Sequence, residues 1–228
     1  MLTYAQFAER LARGPLKNTS AVDETNLGEI CPDYAATVLN LTNQGLVDLT
    51  TRLPLIKRLV DLTFVADQFV YNMAVASAYL DTTGLDTFVD AEFVKILDVY
   101  DSDGKRYQPN SGGHITTPLF NTVRFSAAYR DDDGAFYIGP TVRLQYQALH
   151  TPITVSDNID LPPNLVAALQ QFVASQYITD MGGKDHSRRG DELFALYLRS
   201  VTEDVIGNVS GTSEVEGQYD RFVDGGWV

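Results

Sequence analysis

Residues 46–64, LVDLTTRLPLIKRLVDLTF, decide the fold, because the hydrophobic period changes inside them. Up to Leu53 the rhythm is helical: Tyr34, Val38, Leu41, Leu49 and Leu53 recur at spacings of three, four and eight, and Leu46 widens the stripe. Pro32 suits the first turn of that helix and Asp33 complements its dipole. Gly45 works against the middle by about 1 kcal/mol of helix propensity. After Pro54 the period drops to two. Ile56, Val60, Leu62 and Phe64 alternate with Lys57, Asp61 and Thr63, with Arg58 breaking the apolar side. That alternation predicts a strand.

Upstream, Thr3 to Arg13 predicts a short helix. Thr3 stands at the cap, Gln6 three residues on, and Tyr4, Phe7, Ala8 and Leu11 share a face. Gly14-Pro15 ends it, and Leu16 to Glu29 reads as a polar loop.

Downstream, Gln68 to Met73 is expected to pair with the first strand. Asp90 to Leu97 is ambiguous, a helical turn opening a strand, and Ile96 to Tyr100 is apolar enough to be one. Asp101-Ser102-Asp103-Gly104 predicts a turn before Lys105 to Gln108. Pro109 to Pro118 reads as an exposed loop and Leu119 to Phe125 as a strand. Asp131-Asp132-Asp133-Gly134 is a second turn, leading into Ala135 to Ile138. Gly139-Pro140 leads into Val142 to Ala148, where Val142, Leu144, Tyr146 and Ala148 alternate with polar residues. Short strands with such turns describe an antiparallel meander or small barrel.

Helix signals then return. Asp160-Leu161-Pro162-Pro163-Asn164 opens a helix over Leu165 to Ile178, and Gly182-Gly183 breaks it. A last helix is expected from Asp191 to Val205, with Leu193, Phe194, Leu196, Tyr197, Val201 and Val205 as its stripe. The expected class is α+β. Residues 1–53 and 159–206 form a helical bundle, residues 54–158 an inserted antiparallel β-domain, and residues 207–228 an extended tail.

Composition narrows the function. The chain has 228 residues and a formal net charge of -13. Such acidity repels phosphates, so sequence-specific DNA reading is not expected. Solubility is the bland account of it; a conduit through which DNA slides is another. At 44% apolar and 21% charged residues, wholesale disorder is not expected either. The opening Met1-Leu2-Thr3-Tyr4-Ala5-Gln6 is unlike a signal peptide, so synthesis in the cytoplasm is expected.

Catalytic and metal-binding patterns are not found in the sequence. Cys31, the one cysteine, sits among acidic and apolar neighbours and reads as a packed small residue. His114, His150 and His186 lie apart without ligand spacing. An EF-hand loop needs a glutamate at its twelfth position; counted from Asp101 and Asp131 those positions hold Gly112 and Val142. No catalytic residue, cofactor or metal is expected.

Two features suggest partners. Lys184, Arg188 and Arg189 make the densest basic cluster, a candidate partner-contact loop between the last two helices, with a merely solvated loop as the alternative. Tyr219, Phe222 and Trp227 punctuate a segment too polar to build its own core. They suit docking into a groove of another protein, or folding back on their own domain.

Four pieces in this order resemble the head-to-tail adaptor (head completion) proteins of short-tailed bacteriophages. They are the opening helix with Gly14-Pro15-Leu16-Lys17-Asn18; Asn43 to Leu53 followed by the strand Arg58 to Phe64; Tyr107-Gln108-Pro109-Asn110 with Thr117-Pro118; and Leu161 to Ser175 followed by Met181 and a helix with Tyr197. The resemblance spans most of residues 1–206 and carries no catalytic signature. It implies a structural virion protein forming a twelve-fold ring between portal protein and tail nozzle. The helical part would face the portal and the β-part the tail, with genomic DNA passing through the lumen. It further implies that residues 207–228, with Tyr219, Phe222 and Trp227, dock on the portal. Another tail-tube or minor capsid subunit is the alternative, and an enzyme a third class.

Overall fold

The computed structural model describes residues 2–23, 26, 28–65, 68–73, 80–81, 92–111, 114–119, 121–126 and 139–203. The chain is α+β, with four helices and antiparallel sheets among the described residues. It divides into two compact units. One contains residues up to Leu53 together with those from Pro152 onward; the other is Pro54–Thr151.

In the first unit, β1 (Leu2–Thr3) runs into α1 (Tyr4–Arg13). The Thr3 hydroxyl accepts the Gln6 N–H and the Gln6 side chain accepts the Thr3 N–H, both at 3.2 Å, a reciprocal capping box. β1 pairs with β10 (Asn158–Ile159), Leu2 opposite Ile159. The Asn43 amide donates to the Ile153 carbonyl and accepts its N–H. These bonds place residues 152–158 with the helices, although the sequence reading puts them in the β-region.

α2 (Pro32–Arg52) buries Val38, Leu41, Leu46 and Leu49. α3 (Pro163–Asp180) is more apolar, burying residues along nearly its whole circumference, as a helix with neighbours on several sides must. The last helix, α4, covers residues 184–203 and so begins seven residues before Asp191. Residues 184–189 are its first turns and not a loop: the Ser187 N–H already donates to the Gly183 carbonyl. Leu196, expected on the buried stripe, is 47% exposed, while Tyr197 is fully buried. Val205 lies outside the described residues.

Gly45 explains the weak point in the α2 pattern. A Cβ there would stand 2.5 Å from Leu169 Cδ1 and 2.8 Å from Phe172 Cδ1. Gly190 plays the same part for α4, where a Cβ would meet Thr179 Oγ1 at 2.1 Å and the Ser175 carbonyl at 3.0 Å. α2 and α4 thus each approach α3 at a residue with no side chain.

Among its described residues the second unit holds two sheets. The larger, in the order β4-β2-β9-β5-β6, comprises β2 (Lys57–Thr63), β4 (Leu80–Asp81), β5 (Phe93–Tyr100), β6 (Arg106–Tyr107) and β9 (Thr141–Ala148). The smaller, β3-β8-β7, comprises β3 (Val70–Asn72), β7 (Ile115–Leu119) and β8 (Thr122–Phe125). Both contribute to one core. Val60, Leu62, Val142, Leu144 and Tyr146 meet Tyr71, Ile115, Val123 and Phe125, and Phe64 packs edge-on to Phe125 with centroids 4.8 Å apart.

Two strand expectations are corrected. Gln68 to Met73 does not pair with β2: β3 pairs with β8, and β2 lies between β9 and β4. β2 and β9 match along seven residue pairs, so their shared alternation buries more apolar surface than the three-residue β3 offers. The expected loop Pro109 to Pro118 ends in β7. Asn110, with φ of 65°, accepts the Thr117 N–H and donates to the Thr117 hydroxyl, while Ile115 is buried. Pro118 is tolerated because β7 ends the strand order of its sheet and its register shifts between Thr116 and Leu119. Leu119 therefore closes β7 and does not open β8. Asp131-Asp132-Asp133-Gly134, Ala135 to Ile138 and residues 207–228 lie outside the described residues.

Gly45→Leu gains helix propensity, so any net loss of stability reports the volume forced into the α2–α3 contact. Chemical denaturation is expected to read a loss of about 1–3 kcal/mol. In the second unit, the Asp101 carboxylate accepts the N–H groups of Asp103 and Lys105 and the Tyr107 hydroxyl. Burial is the largest single influence and pushes its pKa up, but the three donors and the Lys105 charge together outweigh it and hold the group below its ordinary value. A depressed carboxylate stabilises above its unfolded pKa, and that stability is lost as pH falls through the folded pKa. The protection of the Lys105 amide, its exchange rate divided into the intrinsic rate at each pH, should therefore fall on acidification through and below the carboxylate range, and Asp101→Asn should remove that dependence.

Candidate functional site

The residues singled out in the sequence as partner-binding have different placements. Tyr219, Phe222 and Trp227 lie outside the described residues. Lys184, Arg188 and Arg189 all fall on exposed positions of α4, but the helix turns Arg189 away from the other two. At 3.6 residues per turn, Arg188 points about 100° and Lys184 about 140° away from Arg189. Arg189 reaches back to donate to the Pro15 carbonyl at 3.1 Å. Arg188 stands 4.0 Å from Glu192 on its own helix. The three do not form one basic surface.

A different basic corner forms instead. Arg10 and Arg13 occupy the last turn of α1, where cations favour the helix dipole. With Gln6, Glu9, Pro15 and Gln170 they line a groove of about 630 Å³. Arg13 pairs with Glu9 at 2.8 Å and lies over Gly28. Arg189, through its bond to Pro15, belongs to the same corner. Arg10 is exposed and has no ion pair among the described residues. The sequence signal for this corner was two arginines in the turn before Gly14-Pro15, with Lys17 following. What the sequence did not reveal is that Arg189, far along the chain, joins them.

A second groove, about 480 Å³, lies on the larger sheet of the other unit, lined by Leu59, Asp61, Tyr100, Ser102, Arg143 and Gln145 among others. Two of its charged groups, Asp61 and Arg143, satisfy each other. Asp61 and Arg143 face across β2 and β9 and form a two-pronged ion pair at 2.8 and 3.0 Å. That pair raises the Arg143 pKa, its hydrogen bond first and its charge attraction second.

Two buried tyrosines hold their protons. Burial pushes the Tyr4 phenol up to about 12, against a lowering bond to Thr42. Burial pushes Tyr197 further up, and its hydrogen bond to Asp48 adds to the rise. Asp48 is clasped from the other side by Arg52 at 2.7 and 3.1 Å. This chain of Tyr197, Asp48 and Arg52 ties α4 to α2, and at neutral pH the phenol keeps the proton it donates to Asp48.

Among the described residues no group of three or more His, Cys, Asp and Glu side chains is arranged to hold a metal ion. No described helix is long and apolar enough to cross a membrane. Cys31 is half-buried and precedes α2, with its N–H donating to the Ala21 carbonyl. His114 is exposed, His150 half-buried, and His186 stands on α4 and not in a loop.

Tyr197→Phe keeps the ring contact with Phe172, whose centroid is 5.2 Å away, and deletes only the bond to Asp48. A loss of about 1–2 kcal/mol is expected in urea unfolding, with the far-ultraviolet spectrum unchanged. No protein-family model matches the chain, and no curated protein resembles it in sequence.

Proposed function

We propose that this chain is a structural virion subunit, the head-to-tail adaptor of a short-tailed bacteriophage, which forms a ring between portal and tail nozzle. In this reading both chain ends build a helical bundle, an antiparallel β-domain is inserted between them, and residues 207–228 extend as an arm. The observation that carries the reading is the division of the chain: helical segments from both ends make one unit, and Pro54–Thr151 makes a separate β-unit. That is the layout the sequence resemblance implies.

The acidity fits the same role. A ring of subunits each carrying -13 repels the DNA backbone, so a duplex in the lumen stays mobile. The arm carries aromatic anchors, Tyr219, Phe222 and Trp227, in a polar segment, a pattern suited to ordering upon docking on the portal. Lys184 and Arg188, exposed on α4, are candidate contacts with a partner's acidic groups.

The test is electron microscopy of the purified chain mixed with the portal of the same phage. A ring stacked on the portal is expected, and deletion of residues 207–228 is expected to abolish it. Failure to bind the portal, or density placed along a tail tube or on the capsid, would overturn the reading.

A further inference from the structure

The two ends of α1 carry opposite charge. At its C-terminal end stand Arg10, Arg13 and, through its bond to Pro15, Arg189, with Lys17 just beyond. Against them this corner holds Glu9, already paired with Arg13, and Asp185, four residues before Arg189 on the same face of α4. The balance is positive in a protein whose total is -13. At the N-terminal end, the pairing of β1 with β10 fixes Asp157 and Asp160 beside the start of α1: the Tyr4 N–H donates to the Asp157 carbonyl, and Leu2 faces Ile159. Both aspartates are exposed. The Asp157 carboxylate accepts the N–H and hydroxyl of Thr154, while Asp160 has no ion pair among the described residues. Ten helical residues put the two ends about 15 Å apart.

The local helix dipole accounts for a cation at one end and an anion at the other, one or two of each. Among the described residues it leaves Arg10 and Asp160 without an ion pair. Two copies at -13 repel as wholes, so lasting contact between them needs a place where opposite charges meet. The oppositely charged ends of α1 offer it, in a head-to-tail sense, because each copy carries both halves at different places. A contact of that kind closes into a ring when its rotation permits.

We infer that the Arg10–Arg13–Arg189 end of α1 docks on the Asp157–Asp160 end of a second copy of this chain. This rests on the ring-forming role proposed above and names the surface that joins neighbours. The occupant is another copy, because charge complementarity is supplied by this chain itself.

The test uses the full chain alone, by sedimentation velocity at low ionic strength across a concentration series, so that its outcome is independent of portal binding. Wild type is expected to self-associate with an affinity that falls as salt is added. Arg10→Asp and Asp160→Arg are each expected to weaken self-association at least tenfold, since each sets like charges face to face. An equimolar mixture of the two variants is expected to recover to within about twofold of wild type, because in an alternating order every contact again joins opposite charges. Thermal melts of each variant report folding separately. Wild type that stays monomeric throughout, single variants that associate like wild type, or well-folded variants whose mixture does not recover, would overturn the inference. Loss of portal binding with this pattern intact would instead count against the adaptor role.

Discussion

The first unit depends on how closely α2 and α4 come to α3. Helices held apart by ordinary side chains pack about 8–10 Å axis to axis. Here Gly45 faces Leu169 and Phe172, and Gly190 faces Thr179 and the Ser175 carbonyl, at separations no side chain would allow. With both contacts made, α3 is enclosed, and Leu165, Ala168, Leu169, Val173, Ala174 and Ile178 are removed from water. The polar link from Tyr197 through Asp48 to Arg52 then sets the position of α4 against α2. Two glycines that cost helix propensity locally are thus repaid by burial between helices far apart in sequence.

The second unit answers to a different constraint. β2 and β9 match in alternation, so Val60 and Leu62 lie beside Leu144 and Val142 in one buried layer, while Asp61 and Arg143 face outward as a pair. The small sheet closes the other side through Tyr71, Val123 and Phe125. Both grooves described above lie outside these cores.

Local signals were legible in the sequence where the physics is local. The Thr3–Gln6 capping box, Pro32 at the start of α2 and the alternation in Val142 to Ala148 are each decided by residues a few positions apart. Pairing was not legible: nothing near Val70 says that β3 prefers β8 to β2, since that choice is made between distant segments. Pro118 concealed β7, because proline argues against a strand unless the strand is known to end a sheet. Lys184 to Arg189 read as a loop because charge and Gly182-Gly183 obscured a helix start that Gly190, packed on α3, holds in place. Of the candidate site, the basic residues were visible one by one. Their grouping was not, since Arg189 turns to Pro15 while Lys184 and Arg188 point elsewhere.

An adaptor ring seated on a portal ring makes a demand that neither fold nor charge makes alone, a fixed stoichiometry within the particle. The direct measurement is quantitative mass spectrometry of purified virions of the encoding phage, reading the ratio of this chain to the portal protein. The account predicts one copy per portal subunit. Absence from the particle, or a large excess over the portal, would contradict it.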